Sequence, residues 1–236
     1  MDWMKSLVSP RARRKNLNLD TENSRVLTAS HRIFGVPLDK LVTKTLENDT
    51  VPLVVKRICE HIYKFGLDNM DLLRTSDNSR SIENMRLQFD LMGDVNLDAE
   101  VHISTTIGLL RIFLLQLPDT LIPRRLTENL FSVIQDTALN KTAIVCGIKT
   151  VLNLLPEENY SVLKYISSLL TVVAERRTDN NKMSASSLAT LFGPSILRCD
   201  LTSDTEELRD IDYSKDIMCW LILEYNALFF TGRHSV

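Results

Sequence analysis

Chemistry in this 236-residue chain has to come from a short list of side chains. Four histidines (His31, His61, His102, His234) and four cysteines (Cys59, Cys146, Cys199, Cys219) lie far apart in sequence. None shows H-E-x-x-H or C-x-x-C spacing, so no metal site is expected. No G-x-S-x-G run and no recognisable Ser, His and Asp set places a nucleophile beside a base. Carboxylates are numerous but stand in polar, solvated surroundings such as Glu206-Glu207, which gives no support to general acid–base work. The seven glycines form neither G-x-x-x-x-G-K-[ST] nor G-x-G-x-x-G, so the chain is not expected to cradle a nucleotide by itself. Two arginines remain of interest. Arg74 lies in an irregular stretch, Leu67 to Ser79, where an isolated cation reads as a solvated surface charge. Arg111 belongs to a stripe with Ser104, Gly108 and Leu115, which is either a lateral packing seam or a place where a partner approaches closely.

These side chains must be positioned by helices. Glycine and proline, seven of each, occur at about half their average frequency, too few to close the hairpins of a sandwich or barrel. Apolar positions recur at helical spacing from Val51 onward. Val51, Val54, Val55, Ile58, Ile62 and Phe65 make one face, with Asp49 or Thr50 as cap, Pro52 in the first turn and Gly66 as the closing glycine. A short helix is expected over Ser81–Phe89, with Ile82, Met85 and Phe89 inward. The next, about Glu100–Leu117, turns Ile103, Ile107, Leu110, Leu114 and Leu117 to one side. Four segments follow at about Leu126–Leu139, Ala143–Leu155, Tyr160–Arg177 and Ser184–Leu191. Phe192-Gly193-Pro194 reads as a break, Asp200 to Asp212 as an acidic loop, and Tyr213–Phe230 as a final helix. The expected fold is all-α, about eight or nine helices.

The formal net charge of −2 argues against a dedicated nucleic-acid binder. Charge is uneven, however: residues 1–30 hold six lysines and arginines against three acids, centred on Arg11, Arg13, Arg14 and Lys15. This stretch reads as a basic, disordered tail, with an acidic-membrane or nuclear-import patch as the alternative. The folded part is expected over residues 31–236. There is no continuous apolar signal region and no apolar run long enough to span a membrane, so the expected compartment is the cytoplasm.

Three blocks of residues carry a resemblance. Phe34-Gly35-Val36-Pro37-Leu38, Val51-Pro52, Gly66-Leu67-Asp68 and Leu73-Arg74-Thr75-Ser76 resemble the opening of a Rho-family GTPase-activating (RhoGAP) domain. Leu109-Leu110-Arg111-x-Phe113-Leu114-x-x-Leu117-Pro118 resembles its second block. Asn181-Lys182-Met183, Leu188-Ala189-x-x-Phe192-Gly193-Pro194 and Leu197 resemble its third. Asn159-Tyr160-Ser161 and the last helix are similar to the branch called "family with sequence similarity thirteen". The resemblance implies a helical bundle that docks on a small GTPase of Rho, Rac or Cdc42 type and acts as a monomer without a cofactor of its own. GTP and magnesium would belong to the partner. It also implies that Arg74 is a finger inserted in trans, with Arg111, Leu115, Ser187 and Pro194 in the GTPase-binding groove. A guanidinium suits that task because it is permanently charged and forks toward phosphate oxygens as charge develops.

This chain departs from the family pattern at several of those positions. Arg111 stands where a lysine is usual, Leu115 where an arginine is usual, and Ser187 where an asparagine is usual. Asp71 and Asp77 replace glycines beside the finger. Each change removes a donor, alters its geometry or constrains the backbone. Two expectations therefore compete: an activator of GTP hydrolysis, and a weak or inactive module that binds a GTPase or another partner.

Overall fold

Among the described residues, proline carbonyls start four of the ten helices. The computed structural model describes residues 32–42, 50–67, 79–97, 101–136, 138–176, 183–197 and 206–230, the side chains of 206–208 excepted. In it, α1 spans Leu38–Val42, α2 Leu53–Phe65, α3 Ser79–Met92, α4 Ile103–Gln116 and α5 Arg124–Gln135. Then come α6, Lys141–Leu152, α7, Glu157–Glu175, α8, Ala185–Ile196, α9, Glu206–Leu223, and α10, Tyr225–Phe229. Among the described residues there is no strand, and all lie in one compact unit beginning at residue 31. Pro37, Pro52, Pro123 and Pro156 stand just before α1, α2, α5 and α7, and each accepts a backbone N–H from the first turn that follows. The ring fixes φ and removes a donor that a helix start would leave unused. Pro52 is thus the N-cap of α2 rather than a first-turn residue, and no side chain caps that helix.

The expected faces are buried. Val54, Val55, Ile58 and Ile62 of α2 are almost wholly covered, as are Val162, Ile166, Leu170 and Val173 of α7. The central element is α4. Besides the expected Ile103, Ile107, Leu110 and Leu114, it also buries Leu109 and Phe113. It is enclosed by α2, α3 and α8. A helix covered on several sides carries apolar residues around much of its circumference, which a search for a single face undercounts.

Four local expectations are corrected. Gly66 follows α2 at φ −97°, in the right-handed region, so it does not end the helix as a left-handed glycine. Phe192-Gly193-Pro194 is not a break, because α8 continues through it to Ile196. Pro194 has no N–H to give to the carbonyl four residues earlier, and the helix continues past that one missing bond. The stretch read as an acidic loop as far as Asp212 is helical from Glu206, and carboxylates at a helix N-terminus are favoured by the helix dipole. The last segment is divided at Glu224 into α9 and α10. That division and the short α1 bring the number of helices among the described residues to ten.

Glycine permits one close crossing. A Cβ on Gly193 would lie 2.8 Å from the carbonyl oxygen of Ser214, a backbone atom of α9. Helices α8 and α9 therefore meet main chain to main chain. On the other side of the bundle, Asp90 of α3 fastens the chain entering α1. One carboxylate oxygen accepts the N–H groups of Ile33 (2.8 Å) and Phe34 (2.9 Å), and the other binds Arg86 at 2.8 Å.

Candidate functional site

The groove residues named from sequence come from two helices. Arg111 and Leu115, four apart, share one side of α4. Ser187 and Pro194, seven apart, share one side of α8, separated by about 10 Å of helical rise. All four are half-buried. Arg74, Asp71 and Asp77 lie outside the described residues, as do Asn181, Lys182 and the basic residues Arg11, Arg13, Arg14 and Lys15.

Arg111 is where the two helices meet through a polar contact. Its Nε donates to the hydroxyl of Ser195 on α8 at 3.4 Å. Ser195 itself is only 2% exposed. Burial pulls the Arg111 guanidinium below its ordinary pKa, yet an arginine stays charged near neutrality. A cation held partly out of water meets an anionic partner in a medium of lower effective dielectric, where the attraction is stronger. The seam reading of the α4 stripe holds at Gly108. A Cβ there would lie 2.4 Å from the Ile82 Cδ1 of α3, so that glycine serves the contact between α3 and α4.

Ser187 sits at the third position of α8, and its surroundings are local. Ser184 is the N-cap, its hydroxyl accepts the Ser187 N–H at 3.1 Å, and the two hydroxyls lie 2.9 Å apart. The Ser187 hydroxyl is therefore engaged with the hydroxyl of Ser184, which itself satisfies one of the backbone donors a helix start leaves open. A longer asparagine amide would extend beyond that contact. At the other end of α8, the Ile122 N–H donates to the Ile196 carbonyl at 3.4 Å, and the close crossing at Gly193 fixes the turn carrying Pro194 and Ser195.

The sequence reading did not single out Ser195. Its signal was one polar residue within the apolar run Leu191-Phe192-Gly193-Pro194-Ser195-Ile196-Leu197, where a buried hydroxyl requires a partner. Thiol chemistry finds little support. Burial pushes the Cys59 thiol far up, and Cys219, half-buried, is raised by the same cause. Among the described residues, no three His, Cys, Asp or Glu side chains cluster so as to hold a metal, and no helix is long and apolar enough to cross a membrane.

Among the described residues, the chain is an all-helical bundle in which a half-buried arginine bridges α4 and α8. Comparison with known proteins gives this bundle a family. Residues 52–201 match the RhoGAP domain, and the chain belongs to that family. It is 29% identical over 226 residues to Rho GTPase-activating protein 6 of Mus musculus, covering 84% of this chain and 22% of that protein. It is 33% identical over 177 residues to mouse Rho GTPase-activating protein 35, covering 72% of this chain and 11% of that protein. The chain thus spans a small part of these relatives' length. Among solved structures, human Rho GTPase-activating protein 15 superposes with a TM-score of 0.79 at 28% identity, covering 91% of this chain and all of that one.

Proposed function

We propose that this domain accelerates GTP hydrolysis by a small GTPase of the Rho, Rac or Cdc42 type, with Arg74 as the arginine inserted in trans. The observation that carries this reading is the family match over residues 52–201, which spans Arg74 and every groove residue. Arg111, Leu115, Ser187 and Pro194 line the docking groove. Arg111 supplies charge there, and Leu115 offers an apolar contact where the family usually has a cation. The domain brings no cofactor, since GTP and magnesium belong to the GTPase. Residues 31–236 form the RhoGAP domain, acting in the cytoplasm as a monomer without a nucleic-acid partner. The basic tail, through Arg11, Arg13, Arg14 and Lys15, adds a weak attraction to acidic membranes. In the transition state, an inserted guanidinium stabilises charge developing on the transferred phosphoryl group and is worth roughly 10³–10⁵ in rate.

A second reading draws on a specific observation. With the Ser187 hydroxyl turned to Ser184 and Leu115 in place of a cation, the groove has fewer donors than its family usually has. The domain would then hold a GTPase while accelerating hydrolysis weakly. Single-turnover GTP hydrolysis by a panel of Rho-class GTPases, measured alongside binding to their GTP-loaded forms, separates the two. Acceleration by orders of magnitude on one member supports the first. Tight binding with unchanged hydrolysis supports the second.

A further inference from the structure

We propose that Asn159 is a positioning residue for GTPase docking, fastening the turn that joins the ends of the two groove helices. The inference rests on the docking role proposed above for α4 and α8. The turn is Leu117 to Pro123, between α4 and α5. The Asn159 side-chain amide donates to the Leu121 carbonyl at 2.9 Å. One residue on, the Ile122 N–H donates to the carbonyl of Ile196, the last residue of α8, at 3.4 Å. The Ile122 carbonyl accepts the hydroxyls of Thr120 and of Thr127 on α5. Leu121 and Ile122 are wholly buried, and a buried carbonyl left without a donor is costly.

Asn159 is itself firmly set. It is the third residue of α7, whose first turn closes where the Pro156 carbonyl accepts the Tyr160 N–H at 2.9 Å. The packing beside it is open. A pocket of about 230 Å³ has Leu117, Pro118, Pro123, Pro156 and Asn159 in its wall. Dispersion contacts are missing across that space, so on this side the amide bond holds the turn more than packing does. The effect reaches the docking surface through two short links. Leu117 follows α4, which carries Arg111 and Leu115. The Ile122–Ile196 bond holds the end of α8, where Pro194 lies two residues earlier. A turn fixed by Asn159 fixes the spacing of these helix ends. A turn released from it lets the spacing vary, and reordering it on docking costs affinity.

The test is single-turnover hydrolysis by a GTP-loaded Rho-class GTPase, read as the half-saturating domain concentration and the maximal rate. Asn159→Asp keeps the shape and removes the donor, while its charge at a helix start offsets part of the lost stability. Half-saturation should rise between about twofold and thirtyfold, the range for a residue acting through its neighbours, with the maximal rate unchanged. Asn159→Gln still donates, the pocket has room for its extra methylene, and most of the loss should be recovered. Thr171→Val is the control for plain loss of stability. It deletes the hydroxyl that α7 gives to the Ile222 carbonyl, about 18 Å along the same helix. It should lower the melting temperature and leave half-saturation unmoved. Amide hydrogen exchange at Ile122 needs no GTPase: it should quicken in Asn159→Asp and slow again in Asn159→Gln. Asn159→Leu replaces Asn159→Asp if the latter does not fold. Equal half-saturation in Asn159→Asp and Thr171→Val, or unaltered exchange at Ile122, would overturn the role. If the wild type neither binds nor activates any Rho-class GTPase, the docking function falls and this role with it. That outcome is distinct from wild-type activity that is insensitive to Asn159.

Discussion

Arg111 joins the two helices that carry the proposed groove residues, and its substitution separates charge from shape. Arg111→Ala should weaken binding to the GTP-loaded GTPase by tenfold or more, since hydrogen bonds to charged groups contribute about 1.5–3 kcal/mol. Arg111→Lys keeps the charge but loses the planar fork and the Nε bond to Ser195. Its affinity should fall between the two, and titration of labelled GTPase checks the order. If lysine binds as well as arginine, the fork is irrelevant. Ser187 offers the opposite test, a gain. Its hydroxyl is engaged with Ser184, so Ser187→Asn should extend an amide past that contact and tighten GTPase binding by about fivefold. No gain would mean that α8 does not reach the partner at this position.

The close crossing of α8 and α9 and the seam between α3 and α4 both rely on glycine, but with unlike tolerance. The atom facing Gly193 is the Ser214 carbonyl oxygen, which cannot move without shifting α9, whereas Gly108 faces the flexible end of Ile82. Gly193→Ala should therefore destabilise the domain by about 1–3 kcal/mol. Gly108→Ala should cost clearly less, because Ile82 can change rotamer and a helical alanine offsets part of the loss. Thermal melts of the two variants check the order. The same elements explain how far the fold was legible from sequence. Helical periodicity located α2, α3, α4, α6 and α7 because their apolar faces are regular. It missed the continuation of α8, since glycine and proline ordinarily punctuate; here the glycine makes room for another helix and the proline sits near the helix end. It placed the start of α9 too late because acidic composition reads as loop even where a helix N-terminus favours it. Motif spacing singles out positions 111, 115, 187 and 194 as groove residues, and this assignment remains part of the proposal. The engagement of Ser187 by Ser184 and the buried contact of Ser195 were not legible from sequence, because both depend on where a hydroxyl points.

For the molecule as a whole, two ion pairs, one from α2 to Asp94 just beyond α3 and one within α3, set a pH dependence. Arg57 binds Asp94 through two 2.9 Å bonds, and Arg86 binds Glu83 in the same two-pronged way. The hydrogen bond from Arg86 holds Glu83 below its ordinary 4.5, and that from Arg57 holds Asp94 below its ordinary 3.8. A carboxylate depressed on folding contributes stability above its unfolded pKa and loses it as pH falls through the folded one. Melting temperature should thus be flat from neutrality to about pH 5 as far as these pairs act, then fall below pH 4.5 for Glu83 and below 3.8 for Asp94. Both pairs are partly exposed, so each contributes about 0.2–1 kcal/mol and less in salt. The double variant Arg57→Ala, Arg86→Ala should show a shallower fall between pH 5 and 3, and an equally steep one would assign the acid sensitivity elsewhere.

The proposed function rests on the bundle presenting one arginine in trans, and the maximal single-turnover rate of GTP hydrolysis by a responsive Rho-class GTPase tests this most directly. It should be measured with saturating wild-type domain and with saturating Arg74→Ala, after confirming that both bind the GTP-loaded form. The expected result is acceleration by wild type that drops by roughly 10³–10⁵ in Arg74→Ala while binding persists. An Arg74→Ala domain that accelerates hydrolysis as well as wild type would contradict the account.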